Sequence, residues 1–381
     1  MIPYGRQSIS EDDIAAVTAV LRSDWITQGP SIASFEDALA RYCGAAHGVA
    51  VANATAALHI GCLALGVGPG DLVWTSANTF LASANCALYC GAQADFVDID
   101  PATYNMCPQA LERKLIEARV AGRLPKVVIP VHFAGQSCDM AAIGALAREY
   151  GFGVIEDASH AVGADYLDGK VGNCAHSDIA VFSFHPVKIL TTAEGGMLLT
   201  QNAALARTLQ LLRSHGMTRE AGELEQQGEG GWYYEQTGLG YNYRITDLQA
   251  ALGLSQLQRL DAFLARRRAL AARYDALLEG LPLTRPAQAG FGRSAYHLYP
   301  IHVAPARRRA VFDALRAQGI GVNVHYIPVY TQPYYRALGF QAGLCPHAEH
   351  YYAGTISLPM YYALSDAEQD QVVAAVRSAL A

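Results

Sequence analysis

Short apolar runs alternate with helical windows along the first half of the chain. Between the runs, residues 54–65, 79–90 and 139–150 carry apolar side chains at helical spacing. Short apolar runs that alternate with helices are typical of βαβ units. The pattern therefore predicts an α/β fold with a mostly parallel central sheet. The runs are HGVAVAN (47–53), DLVWTS (71–76), ADFVDID (94–100), KVVIPVHF (126–133), FGVIEDA (152–158), IAVFSF (179–184) and GMLLT (196–200).

The two ends of the chain follow different patterns. Residues 8–22 and 31–42 predict two amphipathic helices separated by the loop SDWITQGP. A helical pattern from 246 to 280 leads into mixed strand and helix signals, with helices expected at 305–317 and after Ser365. Because 381 residues exceed the usual size of one core, we predict two domains. The first, residues 1–250, comprises an N-terminal arm and the large domain, and the second, residues 251–381, a linking helix and a small α+β domain.

The composition excludes several classes of function. The chain is 51% hydrophobic and 16% charged, which favours a large core and an apolar surface covered by another subunit. A formal net charge of −6 supplies no basic field for a polyphosphate backbone, so nucleic-acid binding is disfavoured. The apolar window 50–68 contains Asn53, Thr55 and His59, and this favours a buried helix over a membrane span.

The N-terminal sequence and the cysteines indicate the cellular compartment in which the protein is expected. No cationic segment leads into an apolar stretch at the start of the chain, so we expect no signal peptide. Eight cysteines without a CxxC pair are typical of free thiols in a reducing cytoplasm, and we predict no disulfides. His347 and His350 flank Glu349 without further ligands nearby, which favours a surface turn over a metal site.

Two glycine-rich stretches are assigned no chemistry. GVGPGD (66–71) follows a predicted helix and precedes a strand, the reverse of the order that a dinucleotide-binding turn requires, so a nicotinamide cofactor is rejected. The segment EAGELEQQGEGGWYYEQTGLG (220–240) is rich in glycine and glutamate and predicts a mobile loop.

Candidate binding and catalytic residues follow four of the predicted strands, at 53–55, 79–80, 157–160 and 183–188. In open α/β sheets ligands bind beyond the carboxyl ends of the strands, so these residues are expected to share a cleft. Lys188 is notable because it stands alone in the weakly charged stretch FSFHPVKILTTAEGG (182–196). A lysine desolvated in such a setting has a lowered pKa and becomes an amine nucleophile.

A carboxylate pair, Glu156 and Asp157, ends the strand before that of Lys188. Adjacent strand residues point to opposite faces, so only one of the two can face a common ligand, and we predict that it is Asp157. A lysine and a carboxylate on neighbouring strands are the pairing expected for pyridoxal 5′-phosphate (PLP). Lys188 would form the Schiff base, and Asp157 would keep the pyridine nitrogen protonated.

A phosphate site is indicated where ANATAAL (52–58) joins a strand to a helix. The backbone amides of Ala54, Thr55 and Ala56 at the helix start can bind a phosphate, although an ordinary N-cap is the alternative. Ser183 would complete the site. Phe80 can lie flat on an aromatic cofactor ring, although a phenylalanine at a strand end is often part of the core.

Two later motifs are candidates for contacts with the substrate. GLGYNYRITDLQAALG (238–253) presents Asn242 and Arg244 before a helix, where they are either a cap and a surface charge or reach across a subunit boundary to an acidic group. VNVHYIPVYTQPYY (322–335) places His325 and Tyr326 among prolines and tyrosines, as a wall for a sugar or base or as a packed loop.

The ordered set of motifs resembles the DegT-type sugar-nucleotide aminotransferases, which are PLP enzymes. The motifs are NATAAL, NTFLAS, FVDID, VIEDASHAVGA, SFHPVKILTTAEGG, RSHGM, GYNYRITDLQAALG and VHYIPV. The resemblance runs from ITQGP near residue 26 to ISLPMY near residue 360. It implies fold type I of the PLP-dependent transferases, which is the aspartate aminotransferase fold, and a homodimer with shared active sites.

The resemblance also implies a role for each matching residue. Lys188 matches the Schiff-base lysine, Asp157 the partner of the pyridine nitrogen, His160 the neighbour of the ring hydroxyl, and Phe80 the stacking ring. The phosphate contacts match Ala54, Thr55 and Ser183, with Asn242 supplied by the second subunit. The positions that hold the nucleotide sugar match Tyr4, Trp25, Ile26, Thr27, His185, Arg244, His325 and Tyr326.

The intact Lys188 favours transamination, because relatives with histidine at that position act as dehydratases. Within the family, EDASHA, SFHPVK and VHYIPVYTQPYYR are most similar to enzymes that aminate a UDP-linked 4-keto-6-deoxy sugar with L-glutamate for pseudaminic acid. Three alternatives stay open: amination of another nucleotide-linked keto sugar, dehydration of a sugar, and a non-catalytic nucleotide-sugar-binding protein.

Overall fold

A computed structural model describes residues 1–167, 169–226 and 230–381. The helices are α1 (Glu11–Leu21), α2 (Pro30–Cys43), α3 (Ala54–Ala64), α4 (Ala82–Tyr89), α5 (Pro108–Ala121), α6 (Met140–Tyr150), α7 (Ala203–Arg213), α8 (Asp247–Leu257), α9 (Leu260–Leu277), α10 (Pro305–Ala317), α11 (Pro333–Ala337), α12 (Pro346–Gly354) and α13 (Asp366–Leu380). The strands are β1 (His47–Val51), β2 (Leu72–Ser76), β3 (Gln93–Val97), β4 (Val127–Ile129), β5 (Gly153–Asp157), β6 (Asp165–Tyr166), β7 (Gly169–Lys170), β8 (Ile179–Ser183), β9 (Gly196–Thr200), β10 (Met217–Thr218), β11 (Glu235–Gln236), β12 (Leu283–Thr284), β13 (Gly292–Arg293), β14 (Tyr299–Val303) and β15 (Thr355–Leu358).

The central sheet has seven strands in the order β1-β9-β8-β5-β4-β2-β3. Each strand comes from one of the apolar runs that the sequence pattern identified. Strands β8, β5, β4, β2 and β3 pair in parallel, and β9 runs antiparallel to its neighbours β1 and β8. The predicted α/β fold with a mostly parallel sheet is confirmed.

Alternate residues of the strands supply two separate cores, one on each face of the sheet. Val154 and Phe182 join the core that contains Phe35 of α2. Their chain neighbours Ile155 and Val181 join the other core, with residues of α3 and α4. Since helices cover both faces, the strands are buried on both sides, which is why their sequences are almost continuously apolar. The sheet therefore offers its strand ends, rather than a face, for binding.

Local signals fix most helix ends. Ser10 and Thr246 form capping boxes at α1 and α8, and Asn53 caps α3 by accepting from the Ala56 amide. The continuous pattern at 246–280 is two helices, which corrects the single helical segment expected there. The break lies at Gln258 and Arg259, where the Arg259 guanidinium donates to the Ser8 carbonyl at 3.1 Å and so joins this corner to the N-terminal segment.

Helix α9 links the sheet to the C-terminal part of the chain. Its first half packs Phe263 into the core beside the sheet, and its second half packs Tyr274 into a third core around β12, β14 and β15. Ile2 belongs to the third core and pairs with Ile320, so the N-terminal arm lies against the C-terminal part. The boundary between the two domains near residue 250 stays a prediction.

Other segments refine the sequence predictions. His347 and His350 lie in helix α12, which corrects the expected surface turn. Part of the predicted loop 220–240 is extended, since Glu235 and Gln236 pair with β10, while residues 227–229 of that loop lie outside the described residues. In the part of the chain that the structure describes, no helix is both long and apolar enough to cross a membrane.

Candidate active site

A cavity of about 890 Å³ opens at the carboxyl ends of the parallel strands. Its walls include residues that follow β1, β2, β5 and β8, as the strand-end argument predicts. The C-terminal part closes one side with residues 323–326 and His297, and Tyr4 of the N-terminal arm joins them. The cavity therefore gathers side chains that lie far apart in the sequence.

Lys188 lies in this cavity on a loop that is fixed by its own hydroxyl groups. The Lys188 amide donates to the His185 carbonyl at 2.9 Å, and the Phe184 amide donates to the Gly195 carbonyl at 2.9 Å. The Thr191 hydroxyl donates to the Phe184 carbonyl at 3.0 Å. The hydroxyl-rich sequence after Lys188 thus satisfies the backbone of a tight loop and holds the lysine at one place in the cavity.

The amine of Lys188 is tuned toward its neutral form. Burial lowers the pKa of Lys188 to about 8, although the negative charge of Asp157 opposes this change. Burial also lowers the pKa of His160 well below its usual range, helped by the charge of Lys188. A neutral amine is a nucleophile and a base, so the cavity favours the reactive form of this lysine.

Asp157 and Glu156 lie on opposite sides of β5, as the alternation of strand residues predicts. Asp157 lines the cavity. Glu156 faces away from it and accepts from His132 Nε2 at 2.7 Å and from the Ser177 hydroxyl. The backbone amide of Cys138 donates to His132 Nδ1 at 3.1 Å, which leaves Nε2 as the protonated nitrogen that Glu156 requires.

The carboxylate of Asp157 is held by two donors from its own chain. The Ser159 amide donates to Oδ1 at 3.1 Å, and the Ser83 hydroxyl donates to Oδ2 at 2.6 Å. A carboxylate offers about four lone-pair directions, so acceptor capacity remains for a protonated ring nitrogen in the cavity.

The start of α3 offers backbone donors at the other end of the cavity. Asn53 accepts from the Ala56 amide at 2.8 Å, so Ala56 is not available to a phosphate, which corrects that part of the sequence prediction. The amides of Ala54 and Thr55 remain, since the first amides of a helix have no acceptor within it. Ser183 lines the same cavity. These groups form an anion site at a helix N-terminus.

Gly196 permits β9 to pass close to this helix start. A Cβ atom at Gly196 would lie 2.6 Å from the Asn53 carbonyl carbon and 2.7 Å from the Ala54 nitrogen. Both contacts are with backbone atoms, which cannot move aside as a flexible side chain does. The glycine that ends the lysine loop therefore shapes the anion site.

Two further groups suit a flat aromatic cofactor. Phe80 is 58% exposed and lines the cavity, so it is not the core residue that the alternative interpretation expected. His160 is buried, and its Nδ1 finds no partner among the described residues. The cavity thus holds an amine, a buried carboxylate, anion donors, an open aromatic ring and an imidazole. This set fits PLP, which carries an aldehyde, a pyridine nitrogen, a phosphate and a ring hydroxyl.

The C-terminal part contributes a linked pair of rings to the cavity. The Tyr326 hydroxyl lies 3.1 Å from His160 Nε2, and the Tyr326 amide donates to Asn78 Oδ1 at 3.1 Å. Both nitrogens of His325 have protein partners, with Nδ1 lying 2.8 Å from the Ser357 hydroxyl and Nε2 lying 3.4 Å from Asn323 Nδ2. Burial lowers the pKa of His325 to about 4, so its ring is neutral near pH 7.

Five of the predicted site residues lie outside the cavity of their own chain. Trp25 is 58% exposed and Ile26 is 50% exposed. Thr27 pairs with Thr246, which brings this loop beside the segment of Asn242 and Arg244. The Arg244 guanidinium donates to the Ser214 hydroxyl at 3.1 Å. Residues 25–27, 242 and 244 are grouped on the basis of this pairing, and we call them together the distal surface.

The remaining predicted residues, Tyr4 and His185, line the cavity. Sequence reasoning missed His297, a buried cavity residue whose ring centroid lies 4.4 Å from that of His160. No motif marks His297, because it precedes β14 and reaches the cavity only through packing of the C-terminal part. Among the described residues, no group of three or more His, Cys, Asp or Glu side chains is placed to hold a metal ion.

Comparison with known proteins agrees with this geometry. A family model for the DegT/DnrJ/EryC1/StrS aminotransferase family matches residues 7–377. The spore coat polysaccharide biosynthesis protein SpsC of Bacillus subtilis (strain 168) is 43% identical over 383 residues, covering 99% of this chain and 96% of SpsC.

Solved structures show the same likeness over the whole chain. Spr1654 of Streptococcus pneumoniae, described as a sugar aminotransferase and solved in its PMP form, has a TM-score of 0.92 at 32% identity and covers 100% of this chain and 99% of its own. Helicobacter pylori PseC, an aminotransferase involved in the biosynthesis of pseudaminic acid, has a TM-score of 0.91 at 30% identity with the same coverage. The predicted fold type and cofactor are confirmed: the chain belongs to the DegT/DnrJ/EryC1/StrS aminotransferase family, whose enzymes depend on PLP.

Proposed function

We propose that this sugar aminotransferase transfers the amino group of L-glutamate to the C4 ketone of UDP-2-acetamido-2,6-dideoxy-β-L-arabino-hex-4-ulose. The product is UDP-4-amino-4,6-dideoxy-N-acetyl-β-L-altrosamine, on the route to pseudaminic acid. The observation that carries the transfer chemistry is the meeting of Lys188 and Asp157 in one cavity at the strand ends. The likeness to PseC over the full chain supports the choice of sugar.

We assign Lys188 as the residue that binds PLP covalently and Asp157 as the partner of its ring nitrogen. PLP, once bound, supplies the electron sink that allows an amino group to leave one carbon and join another. Ala54, Thr55 and Ser183 would hold the phosphate, and Phe80 would pack against the ring. His160 would be the neighbour of the ring hydroxyl through Nδ1, since Tyr326 occupies the other nitrogen.

Lys188 also acts as the base of the reaction in this proposal. Burial lowers the pKa of Lys188 to about 8 in this cavity. About a tenth of the free amine is therefore neutral at pH 7, and this form would accept the proton of the donor Cα and return it. The same amine serves the second half reaction on the sugar, so ping-pong kinetics are expected.

The sugar nucleotide packs in this proposal against a wall that the N-terminal arm and the C-terminal part build together. Tyr4 contributes to this wall beside His325, with the two ring centroids 5.7 Å apart. Tyr326 and His185 also line the cavity. Because both nitrogens of His325 are engaged by Asn323 and Ser357, we assign it a packing role against the sugar rather than a hydrogen bond.

The distal surface is assigned to the cavity of a second copy of the chain. Its residues lie outside the cavity of their own chain, although family likeness assigns them to the cofactor phosphate and the nucleotide sugar. None of the described residues that line the cavity is an arginine. Arg244 of a second copy would supply a guanidinium for the substrate diphosphate or carboxylate, and Asn242 would reach the cofactor phosphate. A homodimer with shared active sites follows.

A second candidate substrate is another nucleotide-linked keto sugar. SpsC is more identical to this chain than PseC is, and it is described by spore coat polysaccharide biosynthesis. This likeness favours a sugar of a polysaccharide route. The candidates of this class are other nucleotide-linked 4-keto or 3-keto 6-deoxy sugars, including dTDP-linked ones. The chemistry at Lys188 and Asp157 is the same for either substrate.

A single-turnover experiment tests the proposed substrate. The PMP-loaded protein is mixed with freshly generated UDP-linked L-arabino 4-keto sugar or with its D-xylo epimer, and products are read by mass and proton NMR. Amination of the L-arabino sugar alone supports the proposal. Preference for the D-xylo epimer moves the enzyme to the second candidate, and turnover of neither epimer directs the same assay to dTDP-linked keto sugars.

A separate measurement tests the non-catalytic alternative. The PLP-loaded protein is treated with L-glutamate while its visible absorption is followed. Loss of the band with release of 2-oxoglutarate supports an aminotransferase, and a band that survives glutamate indicates a binding protein. Lys188→Ala serves as the control, because it removes the covalent link that gives the band.

A further inference from the structure

Two buried hydroxyl groups, those of Ser83 and Thr79, lie beside Asp157 and were given no role above. Ser83 donates to Asp157 Oδ2 at 2.6 Å, and the Ser83 and Thr79 hydroxyl oxygens are 2.8 Å apart. Ser83 is fully buried, Thr79 is 2% exposed and Asp157 is 5% exposed. The three groups form a chain of hydrogen bonds that leads from the start of α4 to the end of β5.

A serine at a helix start is usually a cap, but Ser83 does not serve that purpose. Leu81 is the N-cap of α4, and no side chain caps this helix. The Ser83 hydroxyl instead crosses to β5, which lies 74 residues away in sequence. Ser83 is the second residue of the helix rather than its N-cap, so this bond serves Asp157 and not the helix start.

The carboxylate sets the direction of the hydrogen bonds. An ionised carboxylate is only an acceptor, so Ser83 must give its single proton to Asp157. The Ser83 oxygen is then free to accept, and Thr79 is the donor to it. Both protons point toward the negative charge, and hydrogen bonds in such a chain strengthen one another.

We propose that Ser83, supported by Thr79, is a positioning residue that keeps Asp157 ionised and oriented toward the ring nitrogen of PLP. This rests on the proposed role of Asp157. Ser83 is not among the described residues that line the cavity, whereas Thr79 is. It acts through Asp157, whose Oδ1 is fixed by the Ser159 amide while Ser83 fixes Oδ2.

The proposal predicts a change in proton distribution when the Ser83 hydroxyl is removed. Without this donor the Asp157 anion is less stable and takes the proton of the ring nitrogen more readily. The ring then carries less positive charge, so the nearby Lys188 nitrogen holds its own proton more tightly. The visible band of the bound cofactor titrates with that nitrogen, and its midpoint should move to higher pH.

The test compares four variants of the PLP-loaded protein. Ser83→Ala removes the donor to Asp157, and Thr79→Val removes the second donor with little change in volume. Thr79→Ser restores the second hydroxyl. Ser76→Ala is the matched control, since Ser76 is 1% exposed at the end of β2 and its hydroxyl has no partner among the described residues.

The expected result is an ordered series in the pH titration of the cofactor band. Ser83→Ala should raise the midpoint by about half to one unit and lower kcat by about tenfold, as expected for loss of a charge-assisted hydrogen bond. Thr79→Val should shift the midpoint less and in the same direction, while Thr79→Ser and Ser76→Ala keep the wild-type midpoint.

Two outcomes overturn the proposal. One is a wild-type midpoint in both Ser83→Ala and Thr79→Val, even if their thermal stability falls, because a purely structural role would give that result. The other is a shift of equal size in Ser76→Ala. If Ser83→Ala fails to fold, Thr79→Val and its serine counterpart decide the question. The proposed function fails in a different way. If L-glutamate does not remove the cofactor absorption band of the wild-type protein, the aminotransferase function is rejected, whatever the Ser83 variants show.

Discussion

Glu156 and Asp157 are adjacent in sequence, yet their carboxylates serve opposite sides of β5. Asp157 faces the cavity and accepts from Ser83, whereas Glu156 accepts from His132 on the far side of the strand. Both residues are buried acids at the same strand end. Asp157 can therefore contact a ligand in the cavity, whereas Glu156 serves the hydrogen bonds that hold the fold.

This relationship predicts different consequences for two conservative substitutions. Asp157→Asn should retain the fold but lower kcat by about a thousandfold or more, because a neutral amide cannot stabilise a protonated ring nitrogen. Glu156→Gln should leave kcat near the wild-type value and lower the free energy of unfolding by about 1–3 kcal/mol, since an amide offers one acceptor oxygen to two donors. Steady-state kinetics and denaturant unfolding of both variants provide the check.

The comparison has a clear contrary result. If Glu156→Gln loses as much kcat as Asp157→Asn at unchanged stability, the assignment of Asp157 as the ring partner is wrong. Equal loss of stability in both variants, with parallel loss of activity, would point to a shared structural role.

The lowered pKa of Lys188 gives a second prediction, for the apoprotein. Since burial lowers the pKa of Lys188 to about 8, the fraction of neutral amine rises as pH increases through that value. An ordinary lysine requires a pH near 10.4 for the same fraction. The rate at which PLP and borohydride label Lys188 should therefore reach half its maximum at about pH 8.

The sequence makes this measurement unusually direct, because the chain contains four lysines. Lys114 and Lys170 are ion-paired with Asp95 and Asp165, at 2.8 Å and 2.7 Å respectively. Peptide mapping after reduction assigns the label, with these two lysines as internal references. If the labelling rate of Lys188 reaches half its maximum at the same pH as the rates of Lys114 and Lys170, the lowered pKa of Lys188 is rejected.

The sheet and the residues at its strand ends were predictable because they depend on local patterns. Apolar runs define strands that are buried on both faces, and in a parallel sheet their carboxyl ends meet at one edge. Lys188, Asp157, Thr55 and Ser183 could therefore be gathered into one cleft from the amino-acid sequence. An N-cap at this helix start was only the alternative to a phosphate site, and the structure shows that Asn53 is the cap and occupies the Ala56 amide.

Residues brought in by tertiary packing left no such signal. His297 reaches the cavity through the placement of the C-terminal part, and Ser83 looks like any serine near a helix start. The break at Gln258 and Arg259 interrupts a continuous helical pattern, and Arg259 there contacts the N-terminal segment. These long-range contacts cannot be predicted from the spacing of residues along the chain.

Gly196 gives a third prediction, on cofactor affinity. Gly196→Ala places a methyl group against the backbone of Asn53 and Ala54, so the start of α3 must move. We expect the Kd for PLP to rise by about tenfold or more, with a loss of about 1–3 kcal/mol in stability from overpacking. Gly68→Ala is the matched control, because no atom lies within 4 Å of the added Cβ there. Equal PLP affinity in the two variants would show that the start of α3 does not bind the cofactor phosphate.

The distal surface gives the last prediction, which concerns paired subunits. Two differently tagged chains, one carrying Lys188→Ala and the other Arg244→Ala, are co-expressed and the mixed dimer is purified. If Arg244 serves the cavity of the partner, one site of this dimer combines both defects and the other has neither, so about half of the wild-type activity should return. The mixed dimer of Lys188→Ala with Asp157→Asn is the control, because both residues line their own cavity and each site keeps one defect. Activity as low as that control, or a monomer in solution, would show that Arg244 acts within its own chain.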